Sequence, residues 1–234
     1  MCSVLQRGAS LGYGALCAIR KRAIAGFVGV GVIVGAALPV LAEPTVIAAL
    51  GDSLTQGYGL APDQGLVPVL ERWLLSQGET VRLINAGVSG DTTAGGLARA
   101  AWTLTPDVQG LIVALGANDM LRGIEPEVAR ANLAGILSAA KAASVPVLLV
   151  GFAAPGNFGP DYRDQFDAIY PDLAAEFGTV LMPNLVAALA DDSPGGAALT
   201  DFLQADRLHP NPAGVALIVK ALGPKVQELL RVIE

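Results

Sequence analysis

Ser53 and His209 are the two side chains that could together perform acyl-transfer chemistry. The chain of 234 residues holds a single histidine, placed in Asp206-Arg207-Leu208-His209-Pro210. Ser53 follows an apolar run, Val46 to Leu50, that Gly51 interrupts. A serine hydroxyl is a weak nucleophile until a neighbouring base takes its proton. Imidazole can take and return a proton near neutral pH. Asp206 stands three residues before His209, a spacing that in a helical turn brings Cβ atoms to about 5–6 Å. A carboxylate there can bond one ring nitrogen and leave the other for the serine, the division of labour in a Ser-His-Asp triad.

Attack on an acyl carbonyl creates an oxyanion, which needs donors already in place. Three polar stretches could supply them: Gly51-Asp52-Ser53-Leu54, Asn85 to Thr92 (NAGVSGDT) and Gly116-Ala117-Asn118-Asp119. The donors would be the Ser53 N–H at the start of a helical turn, the unobstructed N–H of Gly90 and the side-chain amide of Asn118. Asp52, Asp91 and Asp119 read as structural, as caps and loop acceptors. Taken singly, each stretch has a plain structural reading: Gly-Asp-Ser is a common strand-to-helix turn, and lone histidines more often serve packing. The weight lies in their joint placement.

That placement follows from the elements. Apolar runs at Val46–Leu50, Val81–Asn85, Gly110–Leu115, Val147–Phe152 and Val180–Met182 read as strands. Helical periodicity marks Val67–Leu75, Thr92–Leu104 with Asp91 as N-cap, Glu127–Ala143 with Pro126 near its start, Tyr162–Phe177 and Pro212–Val232. Strands and helices alternate, and the strands are continuous rather than alternating apolar runs. Both features predict an α/β domain with a five-stranded, mainly parallel sheet buried on both faces. The alternation gives the number of strands, not their order. Carboxyl ends of parallel strands share one edge, where such sheets keep their active sites, so the polar stretches can converge there.

Residues 1–42 are different in kind. They carry Arg7, Arg20, Lys21 and Arg22 with no acidic residue, then an apolar segment from Ala23 to Leu41 ending in small side chains at Val40-Leu41-Ala42. This is the pattern of a secretory signal peptide, although the segment is long enough for a retained anchor to be the rival. The expected division is a leader at 1–42 and a catalytic domain at 43–234, exported to the periplasm or secreted. Both cysteines, Cys2 and Cys17, precede the apolar segment, so the mature chain has no thiol chemistry. Of the chain's 15 basic residues 11 would remain against 21 acidic, a net charge of −10. That argues against a phosphate-binding surface and with it against nucleic acid as a partner.

The blocks GDSLT, GVSGDT, GAND and DRLHPN resemble those of the GDSL-type, or SGNH, hydrolases. The Ser, Gly, Asn and His of that name match Ser53, Gly90, Asn118 and His209. Asn85-Ala86, Pro155 to Gly159 (PGNFG) and Phe166 to Phe177 (FDAIYPDLAAEF) further resemble the bacterial thioesterase, protease, lysophospholipase and arylesterase branch. The match runs from Val46 to the final helix. It implies a three-layer α/β/α flavodoxin-like fold and ester hydrolysis without metal or cofactor. One departure is Gly116-Ala117, where many relatives have two glycines. Other families fit worse: there is no G-x-S-x-G elbow, no G-x-G-x-x-G after the first strand, and one histidine cannot build a usual zinc site.

The sequence therefore predicts a monomeric serine esterase acting on acyl or aryl esters and thioesters through an acyl-enzyme. Its catalytic residues are Ser53, Asp206 and His209, and its oxyanion donors Ser53, Gly90 and Asn118. Alternatives are a carbohydrate O-deacetylase on the same machinery and a non-catalytic lipid- or glycan-binding protein. The scarcity of aromatic platforms speaks against the sugar, and a base beside a serine speaks against mere binding. An apolar acyl pocket is expected from Met120, Leu121 and Ile124 after the third strand and from Phe152, Pro155 and Phe158 after the fourth.

Overall fold

The computed structural model describes residues 43–191 and 199–233. The expectations for the leader at 1–42 and for its two cysteines lie outside the described residues. From Thr45 the chain alternates as predicted: β1 Thr45–Gly51, α1 Ser53–Gln56, α2 Leu66–Ser76, β2 Val81–Gly87, α3 Thr93–Thr103, β3 Gly110–Ala114, α4 Ala117–Leu121 and α5 Pro126–Ala142. There follow β4 Val147–Val150, α6 Pro160–Phe177, β5 Val180–Met182, α7 Ala187–Asp191 and α8 Pro212–Ile233. The short helices α1, α4 and α7 were not anticipated as separate elements. Two of them begin at or beside a polar block.

All neighbouring strands pair in parallel, in the order β2-β1-β3-β4-β5. Connections leave β1 toward one edge and β3 toward the other, so the crevice between these two carboxyl ends is the switch point where open α/β sheets bind ligands. The register is level there: Gly51 pairs with Gly87 on one side and with Ala114 on the other. The three loops that follow β1, β2 and β3 thus start from one line.

Strands β3 and β4 are buried along their whole length, and β1 from Val46 onward. The edge strand β2 instead alternates, with Arg82 in solvent and Leu83 buried. Helices α2 and α8 pack together on one face; α3, α5 and α6 pack side by side on the other. The buried stripe of α5, Ala129, Leu133, Ile136, Leu137 and Ala140, follows helical spacing. Pro126 and Pro160 begin α5 and α6, where proline's missing N–H costs nothing.

One predicted cap is corrected. The N-cap of α3 is Thr92, whose side chain accepts from the Gly95 N–H, not Asp91. The Asp91 carboxylate is drawn off by Arg99, whose Nε donates to it at 2.6 Å.

Candidate active site

Ser53 opens α1 directly beyond β1. Asp52 caps that turn by accepting from the Leu54 N–H at 3.0 Å. Short as it is, α1 fixes the Ser53 hydroxyl at the level edge. His209 arrives from the opposite end of the sequence, just before α8. Its Nε2 lies 2.8 Å from Ser53 Oγ and its Nδ1 2.7 Å from Asp206 Oδ2. The three side chains therefore form one hydrogen-bonded line.

The His209 loop is locked by its own backbone. Asp206 Oδ1 accepts from the N–H groups of Leu208 and His209, at 3.0 and 3.1 Å. Those bonds, the Leu208 one foremost, and the His209 ring hold the Asp206 carboxyl down to about 2. It stays charged wherever an imidazole can work as a base. Arg207, between them, takes a left-handed backbone (φ 57°), which makes the turn tight enough for Asp206 to reach back. Gln204 ties the loop to the rest: its N–H donates to the His209 carbonyl, and its Nε2 donates to Tyr58 and Pro210 carbonyls. The Tyr58 ring stands 4.7 Å from the imidazole, so it limits how the ring can turn. Neither Gln204 nor Tyr58 was singled out in the sequence. Only their tertiary contacts reveal them.

Gly90 lies in the loop after β2 with φ +81°, a conformation that side chains other than glycine rarely adopt. Its carbonyl accepts from Arg122 Nη2 at 2.7 Å, and the residue borders the same cleft as Ser53. Beneath this loop Arg99 donates to the carbonyls of Ala86 and Gly51, at 2.5 and 2.8 Å, as well as to Asp91. One guanidinium thus ties the ends of β1 and β2 to the Gly90 loop. Its three-way fork suits arginine and no other side chain.

Asn118 sits in α4 beyond β3, and its Nδ2 donates to Asp52 Oδ2 at 3.2 Å. Gly116 makes the turn into α4 with φ +120°, and a Cβ there would strike the Tyr170 hydroxyl, which donates to the Leu115 carbonyl. Ala117 opens α4 as a helical residue and puts its methyl on the cleft wall, so the departure from Gly-Gly leaves the Asn118 amide in place. Asp119 is fully buried and accepts from the N–H and hydroxyl of Thr93, at 2.8 and 2.6 Å. It joins the third block to the start of α3, as a structural carboxylate should.

Ser53, Gly90, Asn118 and His209 line one cleft of about 190 Å³, with Tyr58, Leu121 and Leu208 among its walls. All the predicted site residues except Asp206, which stands behind His209, face it. Beyond Leu54, Ala117, Leu121 and Leu208 lies a second chamber of about 210 Å³ lined only by apolar side chains. Of the residues expected to form an acyl pocket, Met120, Leu121 and Phe152 border it. Ile124, Pro155 and Phe158 do not line either space: Phe158 covers Gly123 and packs on Tyr162 instead. Their places are taken by Val186, Leu189, Leu199 and Leu203, from chain segments that carry no polar block. Among the described residues no three His, Cys, Asp or Glu side chains stand close enough to hold a metal ion.

The sequence matches the profile of the GDSL-like Lipase/Acylhydrolase family over residues 49–217. It is 36% identical over 182 residues to the esterase TesA of Pseudomonas aeruginosa, covering 77% of this chain and 87% of that one. It is 34% identical over 183 residues to the thioesterase 1/protease 1/lysophospholipase L1 of Escherichia coli K12, covering 77% and 83%. Among solved structures, AlinE4, described as an SGNH-hydrolase family esterase, superposes with a TM-score of 0.66 at 44% identity, covering 81% of this chain and 98% of that one.

Proposed function

Since the chain belongs to the GDSL-like lipase and acylhydrolase family, a family of serine ester hydrolases, we propose that Ser53, His209 and Asp206 are its triad and that esters of apolar acyl groups are its substrates. The observation that carries the reading is the line from Ser53 Oγ through His209 to Asp206, with contacts of 2.8 and 2.7 Å.

Ser53 Oγ attacks the ester or thioester carbonyl carbon while His209 Nε2 takes the hydroxyl proton. The carbonyl oxygen becomes an oxyanion and is held by the N–H groups of Ser53 and Gly90 and by Asn118 Nδ2. The intermediate collapses, the bond to the leaving alcohol or thiol breaks, and His209 returns the proton to it. A water molecule then gives its proton to His209 and attacks the acyl-serine. The acid leaves and Ser53 regains its proton. Asp206, charged throughout, steadies the imidazolium at both stages.

The apolar chamber beyond Leu54 and Leu208 suits an acyl chain. Each methylene buried there is worth up to ~0.8 kcal/mol, so rates rise with chain length until the chamber is full. A sugar would want aromatic platforms and polar groups, and the cleft offers Tyr58 as its one aromatic wall. The enzyme acts as a monomer, exported after cleavage behind Ala42. No described helix is long and apolar enough to cross a membrane. Rates on p-nitrophenyl esters of graded chain length test the substrate class: an optimum at short to medium chains supports it, and a preference for acetylated sugars with no gain on lengthening overturns it.

A further inference from the structure

Asp52 caps α1, yet its position does more than a cap requires. The residue is 1% exposed and adjoins Ser53. One carboxylate oxygen takes the Leu54 N–H; the other takes Nδ2 of Asn118, 66 residues away, and that is the hydrogen bond the Asn118 side chain makes with the described residues. An asparagine amide has two ends of nearly equal shape and opposite chemistry. Turned one way, Asn118 offers an N–H to the cleft. Turned the other, it aims a carbonyl oxygen at the place where negative charge develops.

We propose that Asp52 is a positioning residue for ester hydrolysis: its carboxylate fixes the Asn118 amide with nitrogen toward the cleft, one N–H on Asp52 and the second left for the oxyanion. The proposal rests on the reading of Asn118 as an oxyanion donor. An ionised carboxylate only accepts, so it can bond the nitrogen end of the amide and not the oxygen end. A protonated Asp52 could donate to the flipped amide as well, so only the charged form selects.

Several groups set that charge. Burial is the largest influence and pushes the Asp52 carboxyl up, to about 6; the Leu54 N–H, Asn118 and the His209 ring each pull it down. The Tyr170 phenol on α6, bonded to the Leu115 carbonyl, feels that charge and is pushed well up, chiefly by its own burial. The fold thus keeps ionised, at neutral pH, an acid that its surroundings would rather protonate. A capping residue alone has no need of that, since serine, threonine or asparagine cap as well.

The test is a cycle of Asp52→Asn, Asn118→Ala and the double variant, with kcat and KM measured on an activated aryl ester at pH 8. Asp52→Asn can still cap α1 through its amide oxygen, but it can bond Asn118 in the flipped sense. Each single change lowers kcat about 10²–10³-fold, as for one lost oxyanion donor, with KM little changed. The double variant is no slower than Asn118→Ala, because Asp52 acts only through that amide. Asp52→Ser, which caps but is too short to reach Asn118, gives the same non-additivity and guards against a peculiarity of the asparagine. If Asn118→Ala slows catalysis but Asp52→Asn does not, or if the two losses multiply, the positioning role is wrong while the oxyanion reading survives. If Asn118→Ala leaves kcat intact, the oxyanion reading fails first and the positioning role with it.

Discussion

The buried Asp52 carboxylate makes stability and activity move in opposite directions on one substitution. Its carboxyl lies at about 6 in the folded protein against an ordinary value of 3.8, raised chiefly by burial. Between those two values the folded chain binds the proton more tightly than the unfolded chain does. Stability is therefore lost as pH rises from about 4 to about 6 and stays lost above that. A shift of this size corresponds to about 3 kcal/mol, at 1.36 kcal/mol per pKa unit. Asp52→Asn removes the ionisation while keeping an acceptor for the Leu54 N–H. The variant's stability relative to the parent should improve by up to ~3 kcal/mol on going from pH 4 to pH 8. For a domain of this size that difference corresponds to a relative rise in Tm of roughly 6–12 °C. Urea unfolding of both proteins at a series of pH values measures it, and the pH-dependent part of the difference is the quantity to read, since other titrations are shared. A gap that does not change with pH, or one that widens against the variant as pH rises, refutes the reasoning.

Ser53→Ala and His209→Ala should each lower kcat by orders of magnitude with the fold intact, since no second histidine can substitute; near-normal turnover in a folded His209→Ala protein would remove the triad. Asp206→Ala should cost less than either, because Asp206 orients rather than reacts. Leu203→Phe, in the wall of the apolar chamber, should move the chain-length optimum toward shorter acyl groups while leaving acetyl ester turnover within a few-fold, and an unmoved optimum would place the acyl chain elsewhere. The exported protein should begin at or near Glu43, as read by N-terminal sequencing; recovery of the uncleaved chain from membranes would favour an anchor.

Much of this was legible because it is written locally. Continuous apolar runs gave β1, β3 and β4, and each polar block directly follows a strand, so parallel pairing alone brings Ser53, Gly90 and Asn118 to one edge. The Asp206–His209 contact spans three residues and is fixed by its own turn. What was not legible depends on long-range packing. Strand order and register come from pairings such as Gly51 with Gly87 and Ala114. Asp91 and Thr92 can both cap by type; Arg99, reaching from α3 to the ends of β1 and β2 and to Asp91, decides between them. Of the residues expected at an apolar pocket because they follow strand ends, Met120, Leu121 and Phe152 border the chamber, while Ile124, Pro155 and Phe158 do not. The chamber is instead closed by Leu199, Leu203 and Leu208 around the histidine loop, residues with no periodic or chemical mark. From the sequence Asp52 reads as a cap, and nothing in its sequence neighbourhood points to Asn118.

If His209 makes Ser53 a nucleophile, Ser53 alone should react with an electrophilic phosphonate. The most direct measurement is mapping, by mass spectrometry of proteolytic peptides, of the adduct formed with a p-nitrophenyl alkylphosphonate. One phosphonyl group per chain is expected, on Ser53, formed together with loss of hydrolysis, absent in Ser53→Ala and formed far more slowly in His209→Ala. A label on another residue such as Ser89, or full esterase activity remaining after Ser53 is modified, would contradict it.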